Sequence, residues 1–424
     1  MYDISISGKI VDPIDGVYEG TILIKGERIV EIINKTIENI DSKKHIQLTE
    51  SSLLFPGFID AHVHLREPGW EYKEDFFTGS LAAANGGVTT VADMPNLPRP
   101  TNSRSRIFEK RTLAKKSVID ILFFGAIFNS KDAKEMRDFV HAYKIYTSES
   151  TAAPGTSWQE VENQARIVSK LKKPVTFHSE DQFMINENKK KIIDSNPESH
   201  CEIRSEASEV SAIQNVVKIV KKYKLKANIA HLSTRGGLKI AQENKISCEV
   251  TSHHMFFNKN QMKDSFLRCN PPLRSDKSRK AMIKGIKKGY VKMFATDHAP
   301  HTKEEKQLSK APEGIPGLDT YGNFVAWLIK EQKIKPETVA KITSFNPSHF
   351  FSVSDRARIK RDYIADLTVI DLTPAKVEKI YTKCQWSPYI GMEFPGYASY
   401  TIKKGKILKE NCELKAQHSS TINL

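Results

Sequence analysis

The sequence predicts an α/β protein: a (β/α)8 TIM barrel carrying a small β-sandwich domain built from both chain ends. Three observations point there. Short apolar runs alternate with helical stretches through the middle of the chain, the pattern of βα units and a parallel sheet. Eight such runs can be counted, the number that closes a barrel. Both ends read differently, as β-rich segments broken by glycine turns.

The eight runs are Phe58–Leu65, Val88–Met94, Asp120–Ile127, Ala142–Thr147, Pro174–Ser179, Ala227–Leu232, Ser247–His254 and Val291–Asp297. At the N-terminal end, residues 4–11, 21–24 and 28–32 alternate apolar and polar side chains. At the C-terminal end, residues 365–371 and 400–407 do the same. The expected division is a composite β domain from residues 1–54 plus 360–424, and a catalytic barrel from residues 55–359. The chain of 424 residues is long enough for both.

Composition narrows the function classes. The net charge is +15, but the lysines are spread along the whole chain rather than gathered in one arm. That distribution reads as a solvated surface, with no nucleic-acid partner, although a small anionic substrate gains from the positive field. No apolar run reaches the roughly 18 residues that cross a bilayer, so no membrane partner is expected. The start of the chain lacks a basic stretch followed by an apolar one, so no secretory signal is visible. Five cysteines, Cys201, Cys248, Cys269, Cys384 and Cys412, form no CxxC pair and read as reduced thiols of a cytoplasmic protein. A homo-oligomer is left open.

In a barrel of this kind the ends of the strands build the active site. Nearly every run here ends in a polar residue. His62 and His64 are two apart, so on a strand they share a face and can chelate one metal. His178, His231 and Asp297 each follow an apolar run. Neutral imidazoles with a carboxylate suit zinc and similar ions. Lys144 ends the fourth run. Buried among cations, its amine loses its proton more readily and can capture carbon dioxide. The resulting carbamate can bridge two metals roughly 3.5–4 Å apart. A lysine whose head reaches solvent at the barrel rim is the alternative.

These motifs carry a resemblance. The stretches His62–Gly69, Tyr72–Asp75, Ala82–Val91, Met94–Asn96, Asn270–Arg274, Thr296–His301 and Ser387–Gly391 resemble the amidohydrolase superfamily, and within it the dihydroorotases. The last stretch looks like that family's C-terminal β domain. The resemblance implies that His62, His64, His178, His231 and Asp297 are metal ligands. It implies that carboxylated Lys144 bridges two zinc ions per subunit. His64, Arg66, Asn96 and His301 are implied to hold a small-molecule substrate, the last three by its carboxylate. Asn270 and the backbone at Glu313 and Gly314 are further implied contacts. Glu313 departs from the family pattern, where an apolar residue is commoner, and so does Leu97.

The implied reaction is reversible hydrolysis of dihydroorotate to N-carbamoyl-L-aspartate in pyrimidine synthesis. A metal-activated hydroxide attacks, and Asp297 carries the proton. An allantoinase or dihydropyrimidinase would share fold, metals and reaction type, but neither ring carries such a carboxylate. A non-catalytic scaffold would be expected to lose ligands, and all six candidates are present. His253 and His254 are expected to be buried, hydrogen-bonded histidines without a catalytic role.

Overall fold

The computed structural model describes residues 1–38, 40–194 and 196–415. Residues 416–424, the end of the expected β domain, lie outside the described residues. Among the described residues no helix is long and apolar enough to cross a membrane.

Eight strands form one parallel sheet in sequence order: β1 (Phe58–Val63), β2 (Val88–Asp93), β3 (Asp120–Ala126), β4 (Ala142–Tyr146), β5 (Val175–His178), β6 (Ala227–Ile229), β7 (Ser247–Thr251) and β8 (Met293–Ala295). Beyond β8 the chain returns to β1. Val63 bridges His298 in parallel, and His64 N–H donates to His298 O at 2.7 Å. Asp60 fastens the same seam, accepting from Thr296 N at 3.1 Å and Thr296 Oγ1 at 2.5 Å. These strands are almost wholly buried because both faces are covered, one by the barrel interior and one by helices.

The helices follow from local sequence. The helix Glu206–Tyr223 starts at Ser205, whose side chain accepts from Ser208 N. Glu206 and Glu209 lie in its first turn and Lys221 and Lys222 in its last, the order its dipole favours. Its apolar stripe of Ile213, Val216 and Val220, spaced three and four apart, is buried. Each such side chain contributes about 1.5–3 kcal/mol of burial, and Ile213→Ala costs about 2–5 kcal/mol.

The chain ends meet in a second sheet of nine strands. At its centre Ser52–Pro56 pairs antiparallel with Leu367–Asp371, so the two termini share one ladder. Ile6, Ile22, Ile24, Leu54, Leu367 and Ile402 fill a core separate from the barrel's. Strand Ser42–Gln47, also part of this sheet, is polar except at Ile46 and carries little pattern of its own. Polar contacts dock the sheet on the barrel. Thr368 Oγ1 donates to Gly87 O at 2.6 Å, and Lys403 reaches Asp120 of β3 at 2.7 Å.

The barrel strands stop earlier than the sequence suggests. His64 and Arg66 lie past the end of β1, His231 past β6 and Asp297 past β8. His253 and His254 are not strand residues. Thr251 caps a short helix, Ser252–Phe256, by accepting from His254 N, and that helix carries both.

Candidate active site

A cavity of about 410 Å³ opens at the C-terminal mouth of the barrel. All the site residues singled out from sequence line it except His301, which stands directly behind Arg66. Three of them have left-handed backbones: Arg66 at φ 62°, His231 at φ 34° and Asp297 at φ 49°. Arg66 is two residues beyond His64, but strand alternation does not aim it. A left-handed turn beyond the strand does so.

The ligating atoms fall into two adjoining groups. His62, His64 and Asp297 offer atoms within 4.8 Å of one another. Asp297 Oδ1 is 3.4 Å from His62 Nε2 and 3.1 Å from His64 Nε2. The other group is His178 and His231, with Nδ1 of the first 3.0 Å from Nε2 of the second. Lys144 is buried, its Nζ 3.5 Å from His62 Nε2, so its head does not reach solvent at the rim. Burial pushes the Lys144 amine below its usual range, against the pull of Glu249 and Asp297. Burial, then the nearby cationic groups, drives His62, His64 and His231 well below the usual imidazole range. Burial also raises the Asp297 carboxyl.

Carboxylates behind the site set which nitrogen faces it. His62 Nδ1–H donates to Glu249 Oε1 at 2.5 Å, which leaves Nε2 as a lone pair toward Asp297. His178 Nε2–H donates to Glu180 Oε2 at 2.9 Å, which leaves Nδ1 toward His231. Such partners orient imidazole ligands and raise their basicity. The donor set, with neutral rings already turned inward, fits zinc. Sequence reasoning missed Glu249 and Glu180. An acidic residue within the apolar strand Ser247–Thr251 is a usable signal. Tyr146 was missed as well. It follows Lys144 by two on β4 and so shares its face, and its hydroxyl has no partner among the described residues.

Other residues of the lining suit an anion. Arg66 is 1% exposed; its Nε donates to Pro300 O at 3.0 Å, and Nη2 lies 3.0 Å from His301 Nε2. Asn96 Nδ2 donates to Thr151 O at 2.8 Å. Asn270 Oδ1 is steadied by His200 Nε2 at 3.0 Å. Glu313 turns its carboxylate away from the ring pocket to Arg268, with Oε1 3.2 Å from Nε. That explains how an acid is tolerated in a loop where its backbone faces the cavity. A Cβ on Gly314, at φ +153°, would meet Ala299 O at 2.2 Å, so only glycine fits.

Two expectations change. The segment Ser387–Gly391 is not part of the terminal sheet. Tyr389 is buried against Phe257, and nearby Trp386 Nε1 donates to His301 O at 2.6 Å. Of the histidine pair, His254 is hydrogen-bonded as expected, to Thr251 Oγ1 at 2.7 Å and Pro271 O at 2.9 Å. His253 is buried with neither ring nitrogen partnered among the described residues.

The chain matches the amidohydrolase family model over residues 53–408. The chain belongs to the amidohydrolase family. It is therefore an enzyme, a hydrolase of amide bonds. A curated relative named dihydroorotase, from Methanosphaera stadtmanae, is 32% identical over 93% of this chain and 94% of its own. Another of that name, from Staphylococcus epidermidis, is 32% identical over 95% of this chain and 98% of its own. Among solved structures, an L-hydantoinase (dihydropyrimidinase) from Arthrobacter aurescens superimposes with a TM-score of 0.93. It covers 98% of each chain at 21% identity, a likeness of fold.

Proposed function

We propose that this amidohydrolase is a dihydroorotase, opening dihydroorotate to N-carbamoyl-L-aspartate and closing it in the biosynthetic direction. The observation that carries the reading is Arg66, buried in the lining of the cavity that holds the histidine–aspartate cluster, with Nη2 beside His301. A guanidinium there pairs with a ring carboxylate in a fork that lysine cannot copy. Asn96 and Asn270 supply further polar contacts from the same lining. The relatives named dihydroorotase support the same assignment.

His62, His64, His178, His231, Asp297 and a carboxylated Lys144 would hold zinc. Bound there, zinc supplies Lewis acidity and lowers the pKa of water. Asp297 lines the cavity beside His62 and His64, and burial raises its carboxyl, so it can accept and return a proton. It takes the proton of the attacking water as the new carbon–oxygen bond forms. It then gives that proton to the ring nitrogen as the carbon–nitrogen bond breaks. Arg66 and His301 keep the carboxylate fixed meanwhile, which holds the ring carbonyl toward the histidines. The activity belongs in the cytoplasm, in keeping with five unpaired cysteines.

The test is turnover of dihydroorotate, dihydrouracil and allantoin side by side with zinc added. Dihydroorotate should have the highest kcat/KM. Preference for either uncharged ring would replace this reading with a hydantoinase or allantoinase activity.

A further inference from the structure

After Arg66 the chain doubles back. Trp70 N–H donates to Arg66 O at 3.0 Å, and Lys73 N–H donates to Trp70 O at 2.9 Å. The Trp70 indole lies under two cations, the Arg66 guanidinium at 5.6 Å and the Lys73 ammonium at 4.7 Å. Lys73 is 5% exposed, unusual for a lysine on a loop. Its ammonium meets Glu305 Oε1 at 2.8 Å and His301 Nδ1 at 3.1 Å. Glu305 is itself fixed, accepting from Tyr72 Oη at 3.1 Å and Thr302 N at 3.0 Å.

His301 touches two cations, so a third positive charge is disfavoured there, and burial pushes its imidazole down to about 3. It is neutral, with one ring proton to place. Its contacts decide where. Nδ1 faces the Lys73 ammonium at 3.1 Å, which can only donate, and Glu305 Oε2 at 3.5 Å. Nε2 faces Glu313 O at 3.2 Å, which can only accept, and Arg66 Nη2 at 3.0 Å. A proton on Nδ1 would set donor against donor at Lys73 and acceptor against acceptor at Glu313. A proton on Nε2 satisfies both of these and leaves Nδ1 against Glu305 Oε2 only at the longer 3.5 Å, where the Lys73 ammonium offsets the charge; the one close conflict is with Arg66, and a substrate carboxylate placed between the two donors removes it.

We propose that Lys73 is a positioning residue for the substrate anion: by donating to His301 Nδ1 it holds His301 as the tautomer with its proton on Nε2, beside Arg66. The substrate part rests on the dihydroorotase reading. Without the ammonium, the ring proton moves to Nδ1 and pairs with Glu305. Nε2 then becomes an acceptor for Arg66. The anion loses the histidine donor and part of the guanidinium at once.

The test joins kinetics to nitrogen NMR. In wild-type enzyme, His301 should show a pyridine-type Nδ1 and a protonated Nε2, assigned by its absence in His301→Gln. In Lys73→Met, which keeps the stem length, the two should exchange. KM for dihydroorotate should rise about tenfold with a much smaller change in kcat, as for loss of a charge-assisted hydrogen bond. Dihydrouracil, which has no carboxylate, should keep its kcat/KM within about twofold, well inside that single-bond effect. In a His301→Gln background Lys73→Met should add nothing. A wild-type His301 protonated on Nδ1 overturns the proposal whatever the substrate proves to be, and needs no variant to fold. Equal losses on both substrates would make Lys73 a prop of the rim. If dihydroorotate is not turned over at all, the functional reading fails while the wild-type spectrum still decides the tautomer.

Discussion

Replacing Arg66 separates a dihydroorotase from other cyclic amidases. The guanidinium is pushed down only to about 10, so it is charged at neutral pH. One of its donors is spent on Pro300 O at 3.0 Å, and both Nη groups remain for a ligand or for His301. Lysine has no fixed fork. Its ammonium can satisfy Pro300 O or the substrate, but not both with the same geometry. Arg66→Lys should therefore lose one charge-assisted hydrogen bond, about 1.5–3 kcal/mol, or roughly ten- to a hundredfold in kcat/KM for dihydroorotate. Arg66→Ala leaves the substrate carboxylate unpaired in a buried pocket, and should cost about 3 kcal/mol or more. It also strands Pro300 O, so the melting temperature must be followed in parallel. The assay is the ratio of kcat/KM for dihydroorotate and dihydrouracil in wild type and both variants. A ratio that stays constant while both rates fall would refute the argument and make Arg66 a structural part of the barrel mouth.

Prolonged chelation should abolish turnover and added zinc restore it; full activity in demonstrably metal-free protein would remove the proposed metal chemistry. Lys144→Ala should lose most activity, and a short carboxylic acid in solution should restore part of it. Mass spectrometry or crystallography showing an unmodified lysine in active, metal-loaded enzyme would end the carbamate proposal. Asp297→Asn should depress turnover strongly in both directions, and a fully metallated variant of normal rate would assign the proton to another group. Asp120 tests the docking of the two sheets. Burial alone would raise its carboxyl, but Lys403 and Arg356 hold it down at about 2. A depressed carboxylate contributes stability above its ordinary value near 3.8 and loses it as pH falls toward 2. Asp120→Asn should thus cost about 2 kcal/mol at pH 7 and nothing near pH 2; an equal gap in denaturant melts at both pH values would contradict this.

The barrel was legible because its strands are short, largely apolar runs, and the histidines because each sits at or just past the end of one. His62 and His64 also announce themselves by spacing. The exact strand ends were not legible, since Thr251 looks like any strand residue until it caps the helix holding His253 and His254. Arg66 was legible only through the resemblance, since a left-handed backbone beyond the strand, which no spacing announces, aims its side chain. Glu180 and Glu249 act from behind the histidines, a relation that exists only in three dimensions. Lys73 sits in Tyr72–Asp75, one of the stretches that carry the resemblance, but its partners Trp70 and Glu305 come together around it only in the fold. Strand Ser42–Gln47 has almost no apolar pattern, and its parallel pairing with strand Tyr2–Asp12 is what makes it a strand.

The seam of the barrel bears on how the protein comes off the ribosome. His62 and Asp297 belong to the first and last barrel strands or their ends, and Ser52–Pro56 waits for Leu367–Asp371 before its ladder is complete. Neither closure can form while the nascent chain is short of its final third. Loop-closure entropy across more than 200 residues must be met first, which slows folding and exposes apolar strand edges meanwhile. Early strands such as β1 and β2 consequently wait longest for their final partners, and the cluster of His62, His64 and Asp297 is among the last features of the molecule to exist.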